Sequence, residues 1–148
     1  AAHDIGKVGI PDSILLKPVA LDSGEWAVVR NHPVLGARLL GDSAAEPLRT
    51  AREVALSHHE WWNGKGYPRG LSGDAIPISA RIVAVADTFD ALTSRRPHRA
   101  AWSADDAMDM MAGESGTHFD PELMACFLSI RSRIEEILRR HSDTALRE

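Results

Sequence analysis

The chain has 148 residues, 44% of them hydrophobic and 26% charged, which is enough for one compact domain with its own core but too few for two ordinary ones. Its formal net charge is −4 at pH 7, and no segment concentrates Lys and Arg, which argues against a polymeric nucleic-acid partner. One cysteine excludes a disulfide framework and no apolar stretch approaches the roughly 20 residues of a membrane span, so we expect a cytoplasmic protein without a membrane segment in this chain.

The start of the chain is predicted to be the last turns of a helix. Helical character extends to Lys7, Gly6 and Gly9 then loosen the backbone, and Pro11-Asp12 begin a short turn or helix. Because the sequence opens without methionine, we expect that an upstream segment is missing, which could have held a membrane or sensory segment.

The next segment is predicted to be a helix with a joint. Asp22 and Glu25 form an acidic capping box, which predicts a helix over residues 23–31. Pro33 must bend or restart this helix, because proline lacks a backbone donor and crowds the preceding turn. His32 is therefore predicted to lie at a joint.

A longer helix is predicted from Pro47 to about Trp61, because apolar residues recur there at helical spacing. This helix would carry His58 and His59 on its last turn. Residues 63–73 contain too many glycines and prolines for a helix and predict a loop. The loop is either a tight surface turn or one wall of a site beside the two histidines.

The second half of the chain predicts three more helices. The first begins near Pro77, and its predicted apolar stripe consists of Ile82, Val85, Ala86, Phe89 and Leu92. Ser103 caps the second, and Asp120-Pro121 start the third. Residues 131–148 predict a charged, solvated helix end that frays. No β pattern is present, so we predict an all-α fold with one domain over residues 1–130.

Some residues have the chemistry of metal ligands at helix ends: His3, Asp4, His32, His58, His59 and Asp87. Adjacent side chains on a helix diverge by about 100°. The two side chains of His3-Asp4, like those of His58-His59, therefore do not easily reach a single metal ion. A carboxylate that bridges two ions about 3.5–4 Å apart removes this difficulty. Taken singly, each residue has an ordinary alternative, such as a surface pair, a helix cap or the polar edge of a helix. The carboxylate of Asp87, beside the apolar run 82–86, nevertheless needs a cation or several hydrogen-bond donors.

Other residues keep two interpretations. The cations best placed to meet phosphate, or else solvated surface charges, are Lys7, Arg95, Arg96 and Arg99. The tryptophans predicted to be core or partly buried packing rather than base-stacking platforms are Trp26, Trp61, Trp62 and Trp102. Cys126 lies in the apolar run 124–130 and is predicted to be a buried small hydrophobe.

Short motifs also recur in a fixed order along the chain. They are His3-Asp4-Ile5-Gly6-Lys7, Ile10-Pro11-Asp12, Lys17-Pro18, His32-Pro33, His58-His59-Glu60, Gly64-Lys65-Gly66-Tyr67-Pro68, Gly70-Leu71, Ile76-Pro77, Ala80-Arg81-Ile82, Val85-Ala86-Asp87, Asp90-Ala91-Leu92-Thr93-Ser94, Arg96-Pro97 and His118-Phe119-Asp120-Pro121. In identity and spacing these motifs resemble the HD-GYP family, a branch of the HD superfamily of metal-dependent phosphohydrolases. The resemblance covers the chain from His3 to about Phe127.

The resemblance implies a helical bundle with a Gly-rich loop and hydrolysis of cyclic di-GMP to the linear dinucleotide pGpG, in some members on to GMP. A hydroxide between two metal ions, iron or manganese, would be the nucleophile. Asp4 would bridge the ions, with His3 and Asp87 on the first and His32, His58 and His59 on the second. Lys7 would contact the scissile phosphate, and the remaining implied ligand-binding residues are Gly66, Tyr67, Asp90, Arg96 and Arg99.

The sequence departs from the family pattern at three places. A further histidine ligand expected before His3 is not in the chain, Asn63 stands where aspartate is common, and His98 replaces a frequent tyrosine. These departures keep two alternatives open. One is a silent cyclic di-GMP receptor or a docking module for diguanylate cyclase (GGDEF) domains, and the other is an enzyme for another cyclic dinucleotide or a nucleotide phosphate.

Overall fold

The computed structural model describes residues 2–95 and 100–145, with side chains described as far as residue 140. In this part of the chain the regular elements are helices, and β-structure is limited to isolated bridges, Asn63 with Ser72 and Ser115 with Phe119. The all-α prediction is confirmed. The chain divides into two units, Ala1–Ala84 and Val85–Glu148. Within the described ranges, no helix is both long and apolar enough to cross a membrane.

The first unit contains a series of mostly short helices. They are the 3₁₀-helix η1 (Ala2–Gly9), α1 (Asp12–Leu15), α2 (Ser23–Val29), α3 (His32–Leu40), α4 (Glu46–Ser57), the 3₁₀-helix η2 (Gly73–Ala75) and the start of α5 (Ile78–Thr93). Residues 58–72 between α4 and η2 form the predicted loop.

Several local predictions for this unit are confirmed. The Asp22 carboxylate accepts from the Glu25 amide and the Glu25 carboxylate accepts from the Asp22 amide, so both halves of the capping box are present. His32 is the first residue of α3, with Pro33 in the first turn where its missing N–H costs nothing. The first segment differs from the prediction because it is a 3₁₀-helix rather than the end of an α-helix.

The centre of this unit is built from small residues. Helices η1, α3 and α4 pack against one another, and Gly6, Gly36, Ala37 and Ala55 are buried along their contacts. Small side chains let helix backbones approach closely, so polar side chains attached to neighbouring helices can also reach one another. This packing positions the site described below.

The second unit consists of the remainder of α5 with α6 (Ala104–Gly113), α7 (Pro121–Ser129) and α8 (Arg131–Ala145). Its buried core is Val85, Phe89, Leu92, Ala107, Met108, Met111, Phe119, Met124 and Ile134. The predicted caps of α6 and α7 are both observed, since Ser103 accepts from the Asp106 amide and Asp120 accepts from the Glu122 amide. Residues 131–145 form a helix of their own, in which Ile134 is part of the core.

Some burial predictions are wrong. On α5, Ile82 is 51% exposed and Ala86 is exposed, although both were predicted to be buried. The buried face of the helix instead includes Ala80 and Ala84. Cys126 is exposed. It lies two residues, or about 200°, from the buried Met124 on α7 and so points away from the core.

The tryptophans are partly buried, which is one of the two predicted states. Trp26, Trp61 and Trp102 are 36–49% exposed, so none of the three is a core residue. Trp62 is half-buried, with the Arg81 guanidinium carbon 5.5 Å from its ring centroid.

Candidate metal centre

Asp4 and His32 are brought together where η1 crosses α3. A Cβ atom on Gly6 would lie 1.9 Å from the His32 carbonyl oxygen and 2.4 Å from the Gly36 amide nitrogen. Only glycine permits so close an approach between two backbones. The side chain of Asp4, two residues before Gly6 on the same 3₁₀-helix, therefore reaches the first residue of α3.

His58 and His59 lie immediately after α4, which ends at Ser57 with His58 as its C-cap. The helix is thus shorter than the sequence predicted, and the histidines belong to the turn rather than to its last helical residues. The His59 carbonyl accepts from the Tyr67 amide at 3.0 Å, and the Ser57 carbonyl accepts from the Glu60 amide at 3.0 Å. Because the chain leaves the helical path here, adjacent rings can address the same region.

Four predicted ligands converge in the first unit. Asp4, His32, His58 and His59 each offer one ligand atom, and these atoms all lie within 4.8 Å of one another. Asp4 Oδ1 is 3.3 Å from His32 Nε2 and 3.8 Å from His58 Nε2, and the two Nε2 atoms are 3.4 Å apart. Such distances are expected between ligands that share one central cation.

The protonation of the rings supports this interpretation. His32 Nδ1 lies 2.8 Å from the Val29 carbonyl, and His58 Nδ1 lies 3.0 Å from the Val54 and Ala55 carbonyls. A carbonyl only accepts, so both Nδ1 atoms donate, and in the neutral rings each Nε2 carries a lone pair.

Asp4 Oδ1 completes the set of acceptors. It is buried and has no hydrogen-bond donor of good geometry, although it faces the Nε2 atoms of His32 and His58. A buried carboxylate oxygen opposite these two ring nitrogens is unfavourable unless a cation or a ring proton lies among them. The donor set of nitrogens and a carboxylate oxygen fits a divalent transition metal.

The electrostatics of the cluster favour the ligand forms of these side chains. Burial alone would raise the pKa of Asp4, but contacts with His32, His58 and Lys7 hold that pKa well below its usual range. Burial, together with the neighbouring His58 and His32, lowers the pKa of His59 to about 3. At neutral pH, Asp4 is therefore ionised and His59 is neutral, as metal ligation requires.

Lys7 and His3 lie at the edge of this cluster. The Lys7 ammonium is 2.5 Å from Asp4 Oδ2 and its side chain is 41% exposed. His3 Nε2 is 3.6 Å from the same oxygen, and the His3 ring centroid is 5.0 Å from that of His58. Both residues thus contact the Asp4 oxygen that does not face His32.

The glycine-rich loop covers His59. The Tyr67 ring stacks on the His59 ring with centroids 4.7 Å apart and planes 24° apart. A Cβ atom on Gly66 would lie 2.3 Å from the Trp61 amide nitrogen and 2.5 Å from the His59 carbonyl oxygen. Gly66, predicted to bind substrate, is therefore required for the loop to lie against the backbone of the histidine pair.

A groove of about 550 Å³ adjoins this loop, lined by Ser23, Trp26, Ala27, Arg30, Tyr67 and Pro68. Arg30 places its guanidinium carbon 5.4 Å from the Tyr67 ring centroid. No role for Arg30 was predicted from the sequence. Its spacing of four residues from Trp26 on one helix is the signal that could have paired them.

Other predicted site residues are not in the cluster. Asp87 is half-buried and Asp90 is exposed, and both lie on the part of α5 that belongs to the second unit. Asp90 accepts a hydrogen bond from the Ser94 hydroxyl at 3.4 Å. Arg96 and Arg99 lie outside the described residues.

The chain is similar to known proteins in sequence and in structure. The family model described as an HD domain matches residues 1–123. A cyclic di-GMP phosphodiesterase of Thermotoga maritima is 45% identical over 141 residues, which are 95% of this chain and 38% of that protein. The 3'3'-cGAMP-specific phosphodiesterase 2 of Vibrio cholerae is 45% identical over 126 residues, 85% of this chain and 24% of that protein. A crystal structure of a cyclic GMP-AMP specific phosphodiesterase of V. cholerae aligns with a TM-score of 0.60 at 21% identity, over 91% of this chain and 36% of that chain.

The solved structure shows a fold similar to the all-α fold of this chain, and the imidazole and carboxylate groups at its helix ends could hold a metal ion. The chain belongs to the HD domain family. The predicted HD-GYP resemblance is confirmed by relatives of about 45% identity that are named cyclic di-GMP phosphodiesterases. The chain spans less than two fifths of the length of these relatives.

Proposed function

We propose that the protein to which this chain belongs hydrolyses a phosphodiester bond of a cyclic dinucleotide, with cyclic di-GMP as the preferred substrate and linear pGpG as the product, which some members of the resembled family hydrolyse on to GMP. The observation that carries the proposal is the convergence of the His32 and His58 Nε2 atoms on Asp4 Oδ1, a buried oxygen without a hydrogen-bond donor of good geometry. The names of the similar proteins, cyclic di-GMP and 3'3'-cGAMP phosphodiesterases, support the choice of substrate class.

Each side chain has a role in this proposal. His32, His58, His59 and Asp4 would hold one divalent ion, and Asp4 with His3 and Asp87 would hold a second, the role of Asp87 resting on the family resemblance alone. Iron or manganese bound there would supply water activation and neutralise charge on the phosphate oxygens. The mixed nitrogen and oxygen donors are compatible with either metal.

Lys7 acts on the phosphate in this proposal. Its ammonium is tied to Asp4 Oδ2 and is still half-exposed, so further N–H donors remain available to a non-bridging phosphate oxygen. A charge-assisted hydrogen bond there becomes stronger as negative charge develops in the transition state. Hydrolysis by water needs no protein nucleophile, and Cys126 takes no part.

The test uses the full-length parent protein loaded with manganese or, anaerobically, with ferrous iron. Incubation with cyclic di-GMP and separately with 3'3'-cGAMP, followed by anion-exchange chromatography, should show pGpG or GMP from the first substrate. His58→Ala should abolish turnover, whereas His118→Ala, a half-buried histidine of the second unit, should retain it. No linear product from metal-loaded wild-type protein would overturn the proposal.

A second candidate function is docking of a diguanylate cyclase (GGDEF) domain, favoured by the groove that contains the exposed Trp26 and Arg30 beside the Tyr67-Pro68 turn. A docking module should lose its partner in Trp26→Ala and keep it in His58→Ala. Retained turnover with no measurable cyclase binding would reject this candidate. A cytoplasmic location and an upstream sensory or receiver domain belong to the proposal on the strength of the family resemblance.

A further inference from the structure

Glu60 directly follows the two histidines, yet its carboxylate does not join their cluster. The side chain is buried, with 2% of the residue exposed. Its Oε1 accepts from the Arg69 amide at 2.8 Å and its Oε2 accepts from the Leu71 amide at 2.9 Å. Both carboxylate oxygens are therefore used to fix the far end of the glycine-rich loop.

A third hydrogen bond holds Arg69 in the same part of the loop. The Arg69 guanidinium donates to the hydroxyl of the buried Ser57 at 2.7 Å. Hydrogen bonds to an ionised carboxylate are about twice as strong as neutral ones. These contacts return residues 69–71 to the end of α4, so the intervening Gly66 and Tyr67 are held against His59.

His59 depends on this loop more than the other histidines do. The rings of His32 and His58 are oriented by backbone carbonyls that accept from Nδ1. Among the hydrogen bonds of the described residues, none orients the His59 ring. Its ring contacts His58 and His32, with centroids 4.1 and 5.0 Å away, and the loop supplies the stacked Tyr67 ring that covers it.

We propose that Glu60 is a positioning residue for His59 and acts through the loop. Its carboxylate anchors residues 69–71, and the anchored loop holds the Tyr67 ring against the imidazole of His59. This contact orients the imidazole toward the metal. The inference rests on the proposed metal centre for its final step. The earlier steps, from carboxylate to loop to Tyr67, stand on contacts within the polypeptide. Residues that orient metal ligands typically contribute 10- to 100-fold to metal affinity, which sets the expected size of the effect at about that range.

The test uses the single tyrosine of the chain. Biosynthetic labelling with 3-fluorotyrosine gives one ¹⁹F signal, from Tyr67, whose chemical shift reports stacking on His59. Glu60→Gln places an amide NH₂ against a backbone N–H, so one anchor is lost. In this variant the ¹⁹F signal should move toward that of free fluorotyrosine, and zinc affinity measured by calorimetry should fall about 10- to 100-fold.

The matched control is Glu46→Gln, which removes the same charge from the exposed first turn of α4. It should change neither the ¹⁹F shift nor the zinc affinity. Tyr67→Leu removes the stacking ring while leaving the Glu60 anchor, and it should reproduce the loss of zinc affinity. This variant keeps the proposal testable if Glu60→Gln does not fold.

A double-mutant cycle separates positioning from general stability. If Glu60 acts through His59, Glu60→Gln should have no further effect on zinc affinity in a His59→Ala background. Equal losses in both backgrounds, or an unmoved ¹⁹F signal, would overturn the proposal. If wild-type protein binds no zinc, the final step from His59 to the metal is rejected, while the ¹⁹F shift alone still decides whether Glu60 holds Tyr67 on His59.

Discussion

The crossing of η1 and α3 at Gly6 makes a strong prediction about a single methyl group. In Gly6→Ala the new Cβ atom would lie 1.9 Å from the His32 carbonyl oxygen, whereas ordinary contact begins near 3.4 Å. The two backbones must therefore separate by about 1.5 Å, because neither contacting atom belongs to a flexible side chain. Overpacking of this kind costs about 1–3 kcal/mol, and we expect Gly6→Ala to lie at the upper end.

The matched control is Gly9→Ala on the same 3₁₀-helix. Its Cβ atom would meet the Leu35 Cδ1 atom at 3.0 Å, which is the far end of a side chain that can rotate away. Replacing glycine by alanine in helical backbone contributes about 0.5–1 kcal/mol of stability. We therefore expect Gly9→Ala to be neutral or slightly more stable than wild type.

Urea denaturation of the metal-free proteins, followed by circular dichroism, measures the loss of stability, and zinc calorimetry measures the second consequence. Metal ligands must lie within about 0.2 Å of ideal distances, so a shift of this size should remove Asp4 from the ligand set and lower zinc affinity at least tenfold. Free energies of unfolding for Gly6→Ala and Gly9→Ala that agree within about 0.5 kcal/mol would refute the reasoning about this crossing.

Three further outcomes are expected. His58→Ala should lose bound metal in elemental analysis after dialysis, whereas His118→Ala should keep the wild-type content; equal metal in both would exclude His58 as a ligand. For metal-free protein, the lowered pKa of His59 means that between about pH 3 and 6.5 the unfolded chain binds a proton that the folded chain does not. Stability should therefore fall as pH is lowered through this window, by up to about 1.4 kcal/mol per pH unit from this group. His59→Ala should flatten the slope in urea titrations, and an unchanged slope would contradict the assignment. Finally, the exposed Cys126 should react with a thiol reagent in the native protein at close to the unfolded rate, and protection until denaturation would show that α7 buries the other face.

Much of the fold was predictable because its signals are local. The Asp22 and Glu25 box, the Ser103 cap and the proline after Asp120 each involve hydrogen bonds within one turn, so sequence spacing alone determines them. The placement of His32 at the start of α3 follows from Pro33 for the same reason.

The wrong predictions concern which face of a helix is buried. Cys126 lies within an apolar run, and an apolar run does not distinguish its faces, so only the position of the neighbouring helices decides that Met124 is inside. Ile82 is exposed for a related reason, since the buried arc of α5 is set by where its alanines pack. Such choices depend on tertiary contacts rather than on local preference.

The candidate site was predictable in its chemistry and only partly in its geometry. Asp4, His32, His58 and His59 were identifiable from residue type and order, and the structure brings them together. The anchoring role of Glu60 was not predictable, because it depends on amides of residues nine and eleven positions further along the chain. Its position beside two histidines suggests a metal ligand from the sequence alone. Only the loop geometry shows that this carboxylate binds backbone amides instead.

The cluster of Asp4, His32, His58 and His59 also links the stability of the fold to the concentration of free metal ions in the solvent. A cation that binds the folded chain and not the unfolded chain stabilises it by mass action, by about 2.7 kcal/mol when its free concentration is 100 times its dissociation constant. A melting temperature for this protein is therefore defined only at a stated free-metal concentration. Traces of zinc in a buffer would change that temperature without any change in the polypeptide.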